Sequence, residues 1–187
     1  MNIKIYTDGS CLGNPGAGGY AAIILYEDGK REEIIGGEGF TTNNRMELMA
    51  AIVALRKISP QDKAEIFTDS TYLKNAFTQN WLDNWKRNGW KSSKKGAVKN
   101  QDLWKELDFL ISNINVTFHW VKGHAGNSLN ERCDKLARET ANKFNVQSAR
   151  TENFHAPAEN VITSPEKVTT DDNGKKWSGN QLLLFDE

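Results

Sequence analysis

Two short segments of this chain end in the same pattern, and the pair constrains the fold more than any other feature. Ile5-Tyr6-Thr7-Asp8-Gly9-Ser10 and Ile66-Phe67-Thr68-Asp69-Ser70-Thr71 each have the composition of a β-strand that ends in Asp before a small or polar residue. A helical crossover between them would make the two strands parallel neighbours, about 4.8 Å apart. Each Asp shares a face with the aromatic residue two positions earlier. We therefore predict that Asp8 and Asp69 lie side by side at the carboxyl edge of a sheet, where α/β folds commonly bind ligands.

The rest of the first 144 residues also alternates between predicted strands and helices. Strands are predicted at 3–8, 20–26, 31–40, 64–68 and 116–121, and helices at 44–58, 70–77, 81–87, 101–111 and 128–144. The glycine-rich run between residues 13 and 19 lacks the Lys-Ser/Thr ending of a P-loop and precedes a strand, so we interpret it as a hairpin loop. The prediction is an α/β domain with a five-stranded mixed sheet, an antiparallel meander followed by parallel strands, flanked by helices.

Composition divides the chain into three parts. Residues 1–144 form the predicted domain, residues 145–180 are polar and predicted to be a disordered linker, and residues 181–187 form a C-terminal peptide. The formal net charge is zero, but residues 1–150 carry 21 Lys and Arg against 17 Asp and Glu, whereas residues 151–187 carry 3 against 7. Two cysteines, no signal peptide and no apolar stretch of bilayer length predict a cytoplasmic protein without membrane association.

Each acidic candidate also has a structural explanation when it is taken alone. Asp8 and Asp69 could cap the turns that follow their strands. Glu47 stands three residues after Asn44, which is the spacing of a helix capping box. Asp134 stands four residues before Arg138, which is the spacing of an ion pair on a helix surface. The residue pattern by itself leaves these explanations open.

Several motifs occur together in one order: Thr7-Asp8-Gly9-Ser10, Thr41-Thr42-Asn43-Asn44-Arg45-Met46-Glu47-Leu48, Thr68-Asp69-Ser70, Trp120-Val121-Lys122-Gly123-His124 and Asn130-Glu131-Arg132-Cys133-Asp134. Over about residues 1–144 this set closely resembles bacterial type I ribonuclease H. The resemblance implies a ribonuclease H-like fold and an endonuclease that cuts the RNA strand of RNA–DNA hybrids, leaving 5′-phosphate and 3′-hydroxyl ends. It also implies that Asp8, Glu47, Asp69 and Asp134 bind metal and that His124 is an auxiliary catalytic residue.

Two Mg²⁺ ions about 4 Å apart suit this chemistry, because together they can activate water and stabilise both the phosphorus oxygens and the leaving oxygen. Mg²⁺ prefers oxygen ligands, and Mn²⁺ is expected to substitute for it. Four carboxylates at one site would repel one another without such cations, so metal binding explains the set better than stability does. A loop histidine such as His124 could relay a proton near neutral pH.

One segment interleaves tryptophans with cations and is a candidate for binding the DNA strand. Residues 86–99 contain six Lys or Arg and no acid, although the tryptophans are also expected to enter the core in part. The resemblance identifies the segment as a basic protrusion that holds DNA. Its candidate residues are Trp81, Asn84, Trp85, Lys86, Arg87, Trp90, Lys91, Lys94, Lys95 and Lys99.

A second candidate group would contact the hybrid near the metals. It consists of Gly9, Cys11, Asn14, Thr42, Asn43 and Asn44. These small polar residues and backbone amides suit the 2′-hydroxyl that distinguishes RNA from DNA. The resemblance places Asn43 in the minor groove and Thr42 and Asn14 near a DNA phosphate. The chain departs from familiar relatives at Thr71, where they carry Gln, and at Phe40, where some carry Arg.

The chain ends in Gln181-Leu182-Leu183-Leu184-Phe185, which resembles a bacterial sliding-clamp-binding peptide. Gln181, Leu182, Leu184 and Phe185 would bind the clamp, with the alternative that these apolar residues fold back onto the domain. The protein is expected to be a monomer that removes primers or R-loop RNA.

Three other functions compete with this one: a hybrid-binding module without activity, a transposase or junction resolvase of the same fold, and a reverse-transcriptase fragment. Intact carboxylates argue against the first, because binding alone would favour less negative charge. The segment Thr41-Thr42-Asn43-Asn44 and the basic protrusion argue against the second, because they favour a hybrid over duplex DNA. The start at Met1 directly before a strand argues against the third.

Overall fold

A computed structural model describes residues 1–92, 96–123 and 126–154 of the chain. The predicted sites at Lys94, Lys95, His124 and residues 181–187 lie outside these ranges, as does most of the predicted linker. The described strands are β1 (Asn2–Gly13), β2 (Gly16–Leu25), β3 (Arg31–Thr41), β4 (Lys63–Thr68) and β5 (Asn115–Trp120). The described helices are α1 (Asn43–Leu55), α2 (Thr71–Thr78), α3 (Trp81–Arg87), α4 (Gln101–Asn113) and α5 (Ser128–Phe154).

The strands form one mixed sheet in the order β3-β2-β1-β4-β5. Strands β1, β2 and β3 pair antiparallel as a meander, whereas β4 is parallel to both β1 and β5. In the β1–β4 pair Ile5 lies opposite Ile66, and Tyr6 lies opposite Phe67. The predicted five-stranded mixed sheet is confirmed. The prediction that the strands before Asp8 and Asp69 are parallel neighbours is confirmed as well.

Alternate side chains of the strands enter two separate cores. Ile5 and Ile24 pack with Leu48 and Ile52 of α1 and with Trp104 of α4 on one face. The opposite face carries a smaller cluster against α5, made of Ala21, Ile23, Cys133, Leu136 and Ala137. Because successive residues of a strand point to opposite faces, helices on both sides bury the middle of the sheet.

Two sequence predictions about element boundaries are wrong. The run from Gly13 to Gly19 is not a loop, since only Asn14 and Pro15 separate β1 from β2. Ala17, Gly18 and Gly19 are buried in β2, where small residues let neighbouring helices lie directly on the strand. The last helix was predicted to end at residue 144, but α5 continues through residues 145–154, the start of the predicted linker. That stretch contains no Gly or Pro, so an established helix can propagate without an apolar face.

Among the described residues, no helix is both long and apolar enough to cross a bilayer.

Candidate active site

The parallel pairing of β1 and β4 places Asp8 and Asp69 at neighbouring strand ends. The rings of Tyr6 and Phe67, two residues earlier, stack with their centroids 4.9 Å apart. Asp8 and Asp69 follow on the same face at the next register step, since strand side chains alternate. The charge of Asp69 raises the pKa of Asp8, which shows that the two carboxylates are close enough to interact.

Glu47 of α1 reaches this position because the helix lies directly on Gly9. A Cβ atom on Gly9 would lie 2.3 Å from the backbone nitrogen of Glu47. The Glu47 carboxylate accepts hydrogen bonds from Asn43 Nδ2 at 2.9 Å and from Ser70 Oγ at 2.6 Å. The capping-box explanation of Glu47 is therefore wrong, because the N-cap residue is Thr42 and the carboxylate is held by two side chains instead.

Asp134 forms the ion pair that its spacing predicts and also lies close enough to Asp8 to act on it electrostatically. On α5 it forms the predicted ion pair with Arg138, four residues later, and its side chain is only 18% exposed. Its charge nevertheless contributes to the raised pKa of Asp8. Asp134 therefore lies where α5 passes the carboxylates at the strand ends.

Burial and mutual repulsion both disfavour negative charge at this site. Burial is the largest cause that raises the pKa of Asp8 to about 8, followed by the charge of Asp69, with smaller contributions from Asp134 and Glu47. The Gly9 amide, which donates to Asp8 Oδ1 at 2.7 Å, opposes this shift. Burial also raises the pKa of Glu47 to about 7, against the hydrogen bonds from Ser70 and Asn43. The negative charges of the other three carboxylates therefore all act on Asp8, and that of Asp69 also acts on Glu47.

The donor set at this site fits a hard divalent cation. The groups that act on Asp8 are carboxylates and the Gly9 amide, with no thiolate or imidazole among those of the described residues. The thiol of Cys133 donates to the Tyr6 carbonyl, and burial raises its pKa to about 12. Within residues 1–92, 96–123 and 126–154, no group of three His, Cys, Asp or Glu side chains is arranged so that it could hold a metal ion by itself. Mg²⁺ does not require one, because it usually keeps several waters and shares substrate phosphate oxygens.

We expect the metal-free protein to become less stable as the pH rises from 5 to 9. Asp8 and Glu47 bind protons more tightly in the folded state than in the unfolded state, where their pKa values are near 4, so stability falls as pH rises from about 4 through 8. Urea unfolding in EDTA should show a loss on the order of 3 kcal/mol over this range, discounted because both groups are partly exposed.

Asp8→Asn should flatten this pH dependence and stabilise the protein at pH 8. Asp28→Asn is the control, since Asp28 is exposed in the β2–β3 turn and accepts only from the Lys30 amide. A wild-type stability that is constant or rises between pH 5 and 9 would contradict the electrostatic account of the site.

The loop after β5 also borders the carboxylates. A Cβ atom on Gly123 would lie 2.5 Å from Asp69 Oδ2, so the backbone of this loop rests against that carboxylate. His124 is the next residue in the sequence and lies outside the described residues.

Five of the predicted hybrid contacts line one cavity of about 640 Å³ beside α1. They are Asn14, Thr42, Asn44, Trp85 and Lys99, and the lining also includes Tyr72 and Asn100. Asn14 Oδ1 accepts from the Asn43 amide at 3.3 Å, which ties the β1–β2 turn to the start of α1. Lys99 is the charged residue of this lining, and the other polar groups are amides and hydroxyls. The arrangement suits an anion.

The tryptophans of the basic segment are half-buried, as the sequence analysis expected in part. Trp85 lies between Trp81, Trp90 and the fully buried Trp104, at ring-centroid distances of 5.8, 6.4 and 5.4 Å. Trp81, Asn84, Trp85 and Lys91 line a second cavity of about 460 Å³. The cations differ from one another, because Lys86 is paired with Asp108 at 2.9 Å whereas Lys91 and Lys99 are exposed.

The Cys11 thiol faces the backbone oxygens of Gly16 and Thr41, and the predicted contact of Cys11 with the hybrid is through its backbone. Ser70 was missed, although its position directly after Asp69 and its role as N-cap of α2 were readable signals. Phe40 is 78% exposed at the end of β3, and Thr71 is the exposed first residue of α2.

Comparison with known proteins decides the family. The RNase H family model matches residues 1–142. The chain belongs to the RNase H family. It is 53% identical over 142 residues to a protein named Ribonuclease H from Pseudoalteromonas atlantica, covering 75% of this chain and 90% of that protein. It is 55% identical over 138 residues to the Ribonuclease H of Francisella philomiragia, covering 74% and 90%.

Solved structures agree with this assignment to the RNase H family. LC9-RNase H1, described as a type 1 RNase H with the type 2 active-site motif, is 34% identical with a TM-score of 0.67, over 76% of this chain and 72% of that one. LC11-RNase H1, solved with an RNA/DNA hybrid, shares the fold at 24% identity and a TM-score of 0.57, over 75% of this chain and 97% of that one. The predicted family and the predicted enzyme class, a ribonuclease H hydrolase, are confirmed.

Proposed function

We propose that this chain is an endonuclease that hydrolyses the RNA strand of RNA–DNA hybrids with divalent metal ions held by Asp8, Glu47, Asp69 and Asp134. The observation that supports this most is geometric: β1 and β4 pair in parallel so that Asp8 and Asp69 end neighbouring strands, and α1 lies directly on Gly9 and places Glu47 beside them. Burial and the charges of the other three carboxylates also raise the pKa of Asp8. A site that concentrates negative charge in this way is costly unless a cation neutralises it. The product ends would be a 5′-phosphate and a 3′-hydroxyl.

Two bound Mg²⁺ ions would supply an activated water. They would also stabilise the negative charge on the phosphate oxygens and on the oxygen of the leaving group. The chain's own residues orient the oxygens that bind them. Ser70 and Asn43 fix the Glu47 carboxylate through hydrogen bonds of 2.6 and 2.9 Å, and the Gly9 amide fixes Asp8. Mn²⁺ is proposed to substitute for Mg²⁺, because it accepts the same oxygen ligands.

His124 is proposed to carry a proton near the reacting phosphate. Gly123, the residue before His124 in the sequence, rests against Asp69, and this contact supports the proposal. Imidazole titrates near neutral pH and can both accept and release a proton there. The role is auxiliary, since the metals would carry most of the charge stabilisation.

The two cavities beside α1 and α3 are proposed to hold the DNA strand. Lys99 with the amides of Asn14, Asn44 and Asn100 would bind a phosphate, and the Trp81–Trp85 surface would pack against sugars and bases. On the RNA strand, the backbone of Gly9 and Cys11 and the side chain of Asn43 would read the 2′-hydroxyl and the minor groove. The exposed Lys91 together with Lys94 and Lys95 would neutralise further phosphates.

The proposal is tested by incubating the protein with Mg²⁺ and an end-labelled RNA–DNA hybrid. Matched RNA–RNA and DNA–DNA duplexes test specificity, and EDTA tests the metal requirement. Cutting of the RNA strand of the hybrid alone, and only with metal, is the expected result. Hybrid binding without any cutting would instead favour the binding module, the second candidate function.

Three further parts of the proposal concern the cellular setting. The protein is proposed to act as a cytoplasmic monomer on primers or R-loops, and its two cysteines, which form no disulfide, are compatible with a reducing compartment. Residues 145–180 are proposed to connect the domain to the C-terminal peptide, with α5 providing the first ten of them as helix. Gln181, Leu182, Leu184 and Phe185 are proposed to bind a sliding clamp.

Deleting residues 181–187 should abolish sliding-clamp binding without changing the cleavage of short hybrids. The deletion removes the Leu and Phe side chains that would enter an apolar pocket, and it leaves every candidate catalytic residue in place. Surface plasmon resonance against a bacterial clamp measures the first effect and hybrid cleavage the second. The double change Leu184→Ala and Phe185→Ala is a milder version, and clamp binding that survives both alterations would contradict the proposal.

A further inference from the structure

The walls of the cavity beside α1 are connected by an ion pair that does not itself line it. Thr42 and Asn44, at the start of α1, contribute one wall, and Lys99 and Asn100, directly before α4, contribute the other. Arg45 Nη1 donates to Asp102 Oδ1 at 3.1 Å, and Arg45 Nη2 lies 2.9 Å from Asp102 Oδ2. This bidentate contact joins the first turn of α1 to the first turn of α4.

The Arg45 guanidinium also binds a second carboxylate, that of Glu38. Its Nε donates to Glu38 Oε2 of β3 at 3.3 Å, and the Arg45 side chain is only 29% exposed. With two carboxylates around it, Arg45 presents little net charge to a nucleic acid. Planar, bidentate contacts of this kind fix geometry better than single ion pairs do.

We propose that Arg45 and Asp102 are positioning residues: their ion pair holds the two walls of this cavity at the spacing that a backbone phosphate of the substrate requires. The inference rests on the proposed function, since it assumes that a strand of the hybrid enters the cavity. The pair acts through Asn44 and Asn100, one and two residues away, and touches neither the strand nor the metals. It should therefore control substrate affinity and leave the chemical step unchanged.

The fold contains a matched control for this proposal. Arg56, at the end of α1, donates through Nε to Glu106 Oε1 of α4 at 2.6 Å. This second ion pair joins the same two helices, but Arg56 is about 16 Å from Arg45 along the axis of α1. Neither Arg56 nor Glu106 lines the cavity. If these ion pairs only stabilised the packing of α1 on α4, removing Arg45–Asp102 and removing Arg56–Glu106 should have the same effect on KM.

The decisive variant is Asp102→Asn, because competing explanations predict opposite signs. If Arg45 bound phosphate directly, or if charge alone mattered, removing the Asp102 carboxylate would tighten binding of the hybrid. Positioning predicts that binding weakens. We expect Asp102→Asn and Arg45→Gln each to raise KM for a short hybrid about fivefold, with kcat within about twofold, which is the size of a partly exposed ion pair. The double variant should be no worse than either single one.

Glu106→Gln should leave KM for the hybrid within about twofold of the wild-type value. Its loss of thermal stability should be similar to that of Asp102→Asn, because each variant removes one ion pair between α1 and α4. A second readout uses hybrids that carry a single neutral methylphosphonate at successive positions of the DNA strand. The wild type should lose affinity at the position whose phosphate enters this cavity, besides any position bound by Lys91, Lys94 or Lys95. Asp102→Asn should lose no affinity at the cavity position and should keep the losses at the others. Tighter or unchanged binding by Asp102→Asn, or an equal KM effect in Glu106→Gln, overturns the inference. A wild type that neither binds nor cuts the hybrid overturns the proposed function itself.

Discussion

Asp8→Asn and Asp69→Asn are each expected to lower the rate of hybrid cleavage by at least ~10³-fold while the hybrid still binds. Asn keeps the shape of the side chain and one oxygen, but it removes the negative charge that a bound Mg²⁺ would require. Single-turnover cleavage of an end-labelled hybrid measures the rate, and fluorescence anisotropy in EDTA measures binding. Because Asp8 is crowded by three other carboxylates, its replacement should also stabilise the metal-free protein.

Asp28→Asn makes the same chemical change in an exposed turn and should leave cleavage unaltered. The combination of lost activity, retained binding and raised stability separates a metal-binding residue from a turn cap. A turn-capping Asp8 would give a destabilised protein with most of its activity. Substantial cleavage by either Asp8→Asn or Asp69→Asn would refute the assignment of these carboxylates.

Gly9→Ala is expected to lower both the stability of the protein and its rate of cleavage. The new Cβ would lie 2.3 Å from Glu47 N and 2.4 Å from the Met46 carbonyl carbon, both backbone atoms that cannot rotate away. Helix α1 would have to move off β1, which separates Glu47 from Asp8. We expect a loss of about 2–4 kcal/mol in the free energy of unfolding and a fall in cleavage of ~10²-fold or more.

Gly96→Ala is the matched control, since among the described residues the nearest atom to its added Cβ is Ser92 Oγ, at an ordinary van der Waals distance of 3.9 Å. Urea unfolding and single-turnover cleavage of both variants, at equal Mg²⁺, would test the prediction. If Gly9→Ala unfolds at the wild-type urea concentration and cleaves at the wild-type rate, then α1 does not need its close contact with β1 to place Glu47. That result would also remove the physical reason for glycine at this position.

Features that depend on neighbouring residues could be predicted from the sequence, whereas contacts between distant segments could not. The alternation of β1 and β4 and their shared Asp-terminated ends were readable, because the side-chain period of a strand is local. Their parallel pairing then followed from the helical crossover, and the structure confirms it with Tyr6 opposite Phe67. The motifs around Asp8, Glu47, Asp69 and Asp134 also identified the family.

Three other features were predicted wrongly or not at all. The Asn44–Glu47 spacing predicted a capping box, yet Ser70, which is distant in the sequence, holds the carboxylate. Helix α5 continues past residue 144, because an established helix needs no apolar face to propagate. The central place of Trp104 among the aromatic residues of α2 and α3 had no local signal.

The sequence by itself therefore determined the elements, the family and the chemistry that the carboxylates can perform. Only the tertiary structure decided which groups meet: α1 against Gly9, Ser70 with Glu47, and Arg45 with Asp102. The physical reason is that hydrogen-bonding patterns and side-chain periods are fixed by neighbours along the chain. The distance between two helices depends instead on how every side chain between them packs, and no short stretch of sequence contains that information.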